Sequence, residues 1–117
     1  MNGQYKYDLE ERTLKFAIDV RRFLKKLPYN IQNHEDGKQL IRCSGSVGSN
    51  YIEANDAFSN KDLLFRLKLC RKEAKECSFF LRIFKEFNKP FVDEAVKLNQ
   101  EAVELKKIFS AIINKRK

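Results

Sequence analysis

The sequence predicts an all-α chain folded as a four-helix bundle. Apolar residues recur at alternating gaps of four and three in four separate stretches, the mark of helix seams that pack on one another. The stretches are joined by short connections, as in bundles. Only 4 Gly and 2 Pro occur among 117 residues, too few for a loop-rich or all-β chain. The length is that of one domain, and 43% hydrophobic residues suffice to fill a bundle core.

The first seam is Leu9, Thr13, Phe16, Val20, Phe23 and Leu27, widened by Ala17 and Leu24. Asp8 followed by Glu11 resembles a capping box, and Pro28 stops the helix, so the first helix is expected over 8–27. Residues 28–37 read as a turn-rich connection, with a short helical piece near Ile31 and with His34 exposed in it. The second seam, Leu40, Ser44, Val47, Tyr51, Ala54 and Phe58, predicts a helix over 38–57. Its middle, Ser44 to Asn50, holds Gly45 and Gly48, each costing about 1 kcal/mol in a helix interior. A phosphate-cradling loop lacks its Gly-Lys-Ser/Thr element and its preceding strand, so the small residues are read as a place where helices approach closely.

The third seam is the clearest: Leu63, Leu67, Cys70, Ala74, Cys77, Leu81 and Phe84. Ser59 with Asp62 forms a capping signal, and the helix is expected over 60–87. Leu69, Phe80 and Phe87 widen its apolar arc. Phe65, Phe79 and Ile83 lie further round than one seam needs, which points to burial against another subunit. The remaining arc carries Lys61, Lys68, Arg71, Lys72, Lys75, Arg82 and Lys89. Such a stripe suits a phosphate backbone; the alternative is a solvated face paired with Glu76 and Glu86. The fourth seam, Phe91, Ala95, Leu98, Ala102, Leu105, Phe109 and Ile112, predicts a helix over 90–114 with Pro90 in its first turn. The tail Lys115-Arg116-Lys117 reads as a frayed basic end.

The net charge is +8, and nearly all of the excess falls in the second half. A basic face suggests an acidic partner such as nucleic acid; a Lys-rich surface on an ordinary globular chain gives the same total. Cys43, Cys70 and Cys77 are in no metal-ligand spacing and read as reduced, buried thiols, which fits a cytoplasmic setting. No signal-peptide core and no membrane-length apolar run is visible. One His, acidic pairs placed in first turns where they favour the helix dipole, and serines without a neighbouring base exclude the common catalytic and di-iron patterns. No enzyme, no metal and no cofactor are expected.

At the second and third helices the chain resembles a known family. Arg42-Cys43-Ser44-Gly45-Ser46-Val47-Gly48-Ser49-Asn50-Tyr51-Ile52-Glu53-Ala54 is similar to the Arg-Ser-x-x-Ser-Val-x-x-Asn-Tyr-x-Glu-Ala segment of the four-helix-bundle proteins encoded in intervening sequences of 23S rRNA genes. Lys61-Asp62-Leu63 and Lys72-Glu73-Ala74-Lys75-Glu76-Cys77-Ser78-Phe79-Phe80-Leu81 resemble two further elements of that family. The match covers about residues 40–84 and departs at Cys77 and at Phe79-Phe80, where the family often has Thr or Ser and Tyr-Trp.

The resemblance implies an antiparallel up-down bundle that assembles as a ring-like homopentamer, with no established enzymatic activity. Related accessory variability proteins of diversity-generating retroelements form such a pentamer, bind nucleic acid and associate with a reverse transcriptase. The expected partners are therefore further copies of the chain, RNA or DNA, and a protein of the reverse-transcriptase kind; the rival expectation is a protein-interaction scaffold that binds no nucleic acid. The resemblance also marks Arg42, Asn50, Glu53, Glu73 and Glu76. They are read as a polar network between the second and third helices or across subunits, in preference to ligand contacts.

Overall fold

The structure is a computed structural model that describes the backbone of residues 3–116 and the side chains of residues 8–116. Helix α1 spans Gly3–Lys26, α2 spans Ile31–Asn55, α3 spans Asn60–Phe87 and α4 spans Val92–Arg116. A 3-10 turn, Lys89–Phe91, leads into α4. No strand occurs among the described residues.

Cross-helix contacts fix the directions. Thr13 of α1 meets Gly48 of α2, while Arg21 further along α1 reaches back to Ser44 and the Ile41 carbonyl oxygen. The start of α2 meets the end of α3 through Asn33 and Asn88. Arg12 and Lys26 of α1 pair with Glu101 and Glu94 of α4, in reversed order. The chain therefore runs up, down, up and down. The molecule measures 44 × 21 × 20 Å, close to the length of α3 at about 1.5 Å per residue.

The four seams fill the core. Phe16, Val20 and Phe23 of α1, Leu40, Val47 and Tyr51 of α2, Leu67, Leu81 and Phe84 of α3, and Leu105, Phe109 and Ile113 of α4 are almost fully buried. Phe23 meets Phe84 edge-on at 6.0 Å, and Tyr51 lies 5.9 Å from Phe109. Each such aromatic side chain contributes about 1.5–3 kcal/mol by burial.

Several sequence expectations are corrected. Asp8 is no N-cap: α1 begins at Gly3, because no breaker separates Gly3–Tyr7 from the seam. Helix α2 begins at Ile31, not Lys38. Asn30 caps it, its side chain accepting the Asn33 N–H at 2.8 Å. The expected turn 31–37 is thus helical, and Gly37 is a buried packing position: a Cβ there would stand 3.8 Å from Leu24. The same helix ends at Asn55, so Phe58 leaves the seam and is 100% exposed in the connection to α3. Pro90 sits in the 3-10 turn instead of the first turn of α4. Lys115 and Arg116 are helical, and Lys117 lies outside the described residues.

The reading of the α2 glycines holds at one position. A Cβ on Gly48 would lie 3.1 Å from the Thr13 hydroxyl oxygen and 3.4 Å from its Cβ, so α1 and α2 touch there. At Gly45 the nearest atom is the flexible Arg21 Nη2, 3.4 Å away.

Candidate nucleic-acid interface

Helix α3 is held between α2 and α4, and this leaves one side of it facing outward. Ser59 starts the helix by accepting the Asp62 N–H at 3.0 Å. From there Leu67, Cys70, Ala74, Cys77, Leu81 and Phe84 point into the core. Residues displaced from these by half a helical turn must point outward. They are Lys61, Phe65, Lys68, Lys72, Lys75, Phe79 and Arg82, all exposed. They too follow gaps of four and three, so α3 carries a second, outward line that mixes cations and rings. Arg71 is half-buried beside this line.

Among the described residues, none of Lys61, Lys68, Arg71, Lys72, Lys75 and Arg82 lies within ion-pair distance of a carboxylate. The acidic residues of α3 are engaged elsewhere. Asp62 pairs with Arg66, Glu73 and Glu76 with Arg42, and Glu86 with Lys89. Pairing of the stripe with Glu76 and Glu86 is thereby corrected for every member except Lys89. The opposite side of the molecule differs. A groove of about 570 Å³ between α1 and α4 has Phe16, Phe23 and Leu98 at its floor. Two pairs cross it, Arg12 with Glu101 at 2.8 Å and Lys26 with Glu94 at 3.0 Å, while Lys15 and Arg22 pair with Asp19 within α1; Lys97 lines the same groove.

The five residues expected as one polar network separate into a trio and two bystanders. Arg42 Nη1 donates to Glu73 Oε2 at 3.1 Å and Nη2 to Glu76 Oε1 at 2.6 Å, joining α2 to α3. The hydrogen bond to Glu76 holds Arg42 above its ordinary value against opposing desolvation, with the Glu73 charge adding to it. Glu73 is buried, so Arg42 compensates a carboxylate that burial would otherwise penalise. Asn50 instead donates to the Ser46 carbonyl oxygen within α2, at 2.9 Å. Glu53 is exposed. Its side chain meets none of the other four.

Phe65, Phe79 and Ile83, expected at an oligomer interface, lie on the outward side, the two rings 56% and 58% exposed and Ile83 partly covered. Phe79 and Phe80 meet edge-on at 5.3 Å. Phe79, Ile83 and Phe87 share a shallow depression with Arg82 and Glu86. The two surfaces read from sequence, cationic and apolar, thus fall on one side of one helix. They separate along its axis, with cations dominating 61–75 and apolar groups 79–87.

Sequence reasoning missed the tie between the start of α2 and the end of α3 at one end of the bundle. The side-chain amides of Asn33 and Asn88 donate to each other's oxygens, both at 2.9 Å, and Asn88 is buried. No spacing rule pairs residues so far apart. His34, expected in a loop, is an exposed residue in the first turn of α2, its ring 5.3 Å from that of Tyr29. Three or more His, Cys, Asp or Glu side chains do not cluster as a metal site among the described residues.

Comparison with known proteins agrees with this architecture. The family model described as 23S rRNA-intervening sequence protein matches residues 6–111. The crystal structure of a protein of unknown function from the S23 ribosomal protein family of Bacteroides thetaiotaomicron superposes with a TM-score of 0.78. It is 24% identical, over 89% of this chain and 96% of that one, and shows the same fold. No curated protein matches the chain.

Proposed function

For a chain that belongs to the 23S rRNA-intervening sequence protein family, we propose a non-enzymatic role as a homo-oligomeric bundle, of five copies by family resemblance, whose α3 face binds RNA or DNA without reading sequence. One observation carries the proposal: among the described residues the outward cations of α3, from Lys61 to Arg82, lie beyond ion-pair distance of any carboxylate, while Arg12, Lys15, Arg22 and Lys26 of the α1–α4 groove are each paired in place. Unpaired Lys and Arg along one helix face are what a phosphate backbone needs, and the gain comes from released counterions, which is independent of base identity. The acidic residues of this helix are turned to structural pairs, so the face presents a field of one sign.

The apolar end of the same line, Phe79, Ile83 and Phe87, serves as the contact between copies. Rings of that size left in water are an association surface. The placement keeps the cations from Lys61 to Lys75 free, because the contact lies beyond Lys75; Arg82 alone falls beside it.

Binding of short RNA and DNA to the wild-type chain and to a variant with Lys68, Arg71, Lys72 and Lys75 all changed to Glu tests the reading. The wild type should bind and the variant should not, with the oligomer mass the same in both. Equal binding by the two would remove the α3 face from the account.

A second reading has an observation of its own. At the bundle end tied by Asn33 and Asn88, Tyr29, Ile31 and Phe87 are exposed together, a surface suited to a protein partner. Recovery of one partner protein, unaffected by nuclease and lost on Tyr29→Ser with Ile31→Ser, would favour a scaffold role over nucleic-acid binding.

A further inference from the structure

We propose that Phe65 is a stacking platform for an unpaired base, so that the α3 face prefers single-stranded RNA or DNA to duplex; this rests on the nucleic-acid reading above and narrows its ligand.

Phe65 stands among cations on the outward line of α3. Lys61 lies one helical turn before it and Lys68 one turn after, with Lys72 a further turn on, all outward. Phe79 is two heptads away, about 21 Å along the axis, and belongs to the apolar end. A second copy seated on Phe65 would have to cover Lys61, Lys68 and Lys72 as well, with no acidic residue on this line of α3 to compensate them. Desolvating unpaired charges is costly, and a like-charged copy, net +8, adds repulsion. Phe65 is therefore unsuited to the copy-to-copy contact.

A nucleic-acid strand meets the same constraints without penalty. Its phosphates satisfy the lysines, and its bases offer flat, apolar faces to a ring. Cations interleaved with exposed aromatics are the pattern by which proteins hold single strands. A duplex keeps its bases stacked on each other, so it would engage the lysines and leave the ring idle. The ring already has a flat cationic neighbour: the Arg66 guanidinium carbon is 5.8 Å from its centroid. Arg66 is held by Asp62, 3.8 Å away, and more than half of the Phe65 surface remains open.

The chain contains no Trp, which gives the test a clean optical handle. Full-length Phe65→Trp carries one indole, at the proposed platform, and should lose fluorescence on adding an unlabelled single strand but not a duplex of equal length. Full-length Phe65→Leu keeps apolar area and removes the flat π face. It should weaken single-strand binding by about fivefold or more and leave duplex binding unchanged. Equal loss for both ligands, loss for neither, or an indole blind to the single strand would overturn the inference and leave the phosphate-binding role standing. Binding of neither ligand by the wild type at low salt would remove both. Phe65 is exposed, so both variants should match the wild type in helicity.

Discussion

Cys77 donates a thiol hydrogen bond to Cys43 across the α2–α3 seam, Sγ to Sγ 3.2 Å, and Cys43 lies 3.6 Å from the Leu40 carbonyl oxygen as its own acceptor. The chain of thiols ends on a backbone oxygen, in a part of the core that water does not reach.

Cys77 and Cys70 should be protonated and inert in the folded protein. The hydrogen bond to Cys43, then burial, pushes Cys77 up; burial pushes Cys70 up to about 12 from an ordinary 9.0. A raised folded-state value means that folding favours the neutral thiol. That contribution is complete below pH 9 and is lost as pH rises toward about 12. In this window the unfolded chain binds fewer protons than the native one, so stability falls by at most about 1.4 kcal/mol per pH unit for each such thiol. Denaturant midpoints across that window should fall for the wild type and fall less steeply for Cys70→Ala.

Arg42 and Glu73 should be unequal partners. Arg42 is half-exposed and Glu73 is buried, so removing the arginine strands a carboxylate. Arg42→Ala should cost about 1–3 kcal/mol. Adding Glu73→Gln to it should recover part of that loss, since the uncompensated charge is gone. Chemical denaturation of the two variants checks this, and a double variant worse than the single one would contradict it.

The two glycines of α2 should part company on substitution. Alanine gains about 1 kcal/mol over glycine in a helix. At Gly45 the new methyl meets only the end of Arg21, so Gly45→Ala should raise the melting temperature. At Gly48 it would press on Thr13 at 3.1 Å, whose hydroxyl already donates to the Leu9 carbonyl oxygen at 2.8 Å. Gly48→Ala should gain nothing or lose stability, and Gly48→Val should lose more.

How much of this could be read from residues alone differs by element. The 3.5 period located every core position from Leu67 to Phe84 in α3, and Ser59 with Asp62 located its start, because both signals are local and reinforce each other. Helix α2 starts earlier than its apolar seam predicts. Asn30 is a good cap, but Gly37 reads as a turn residue; inside α2 it is buried, and a Cβ there would meet Leu24 at an ordinary contact distance, so the packing accepts a glycine without requiring one. Phe58 continued the apolar rhythm past Asn55, where the backbone had already stopped being helical. The cationic stripe of α3 is legible in the sequence. Its lack of partners is not, since Glu76 is within helical reach and turns instead to Arg42 on α2. Asn50 and Glu53 share a motif with Arg42 but point elsewhere, which shows that a motif groups residues by sequence before the fold groups them by contact.

Association should depend on the apolar end of α3. The wild type should scatter light as a multiple of the 13.8 kDa chain, and Phe79→Glu with Ile83→Glu should reduce it to that mass while helicity is retained. A wild type that is monomeric in dilute buffer would separate this chain from the assembly that its family resemblance implies.

If the outward cations of α3 meet phosphate, binding must weaken with salt. The most direct measurement is the affinity for a labelled RNA strand followed from about 50 to about 200 mM salt, the range over which counterion release weakens such contacts. Log affinity should fall steeply and linearly with log salt for the wild type. The slope should be shallower by about 1 for each of Lys68, Lys72 and Lys75 changed singly to Ala. A flat salt response, or a slope unmoved by all three substitutions, would contradict phosphate contact by these cations.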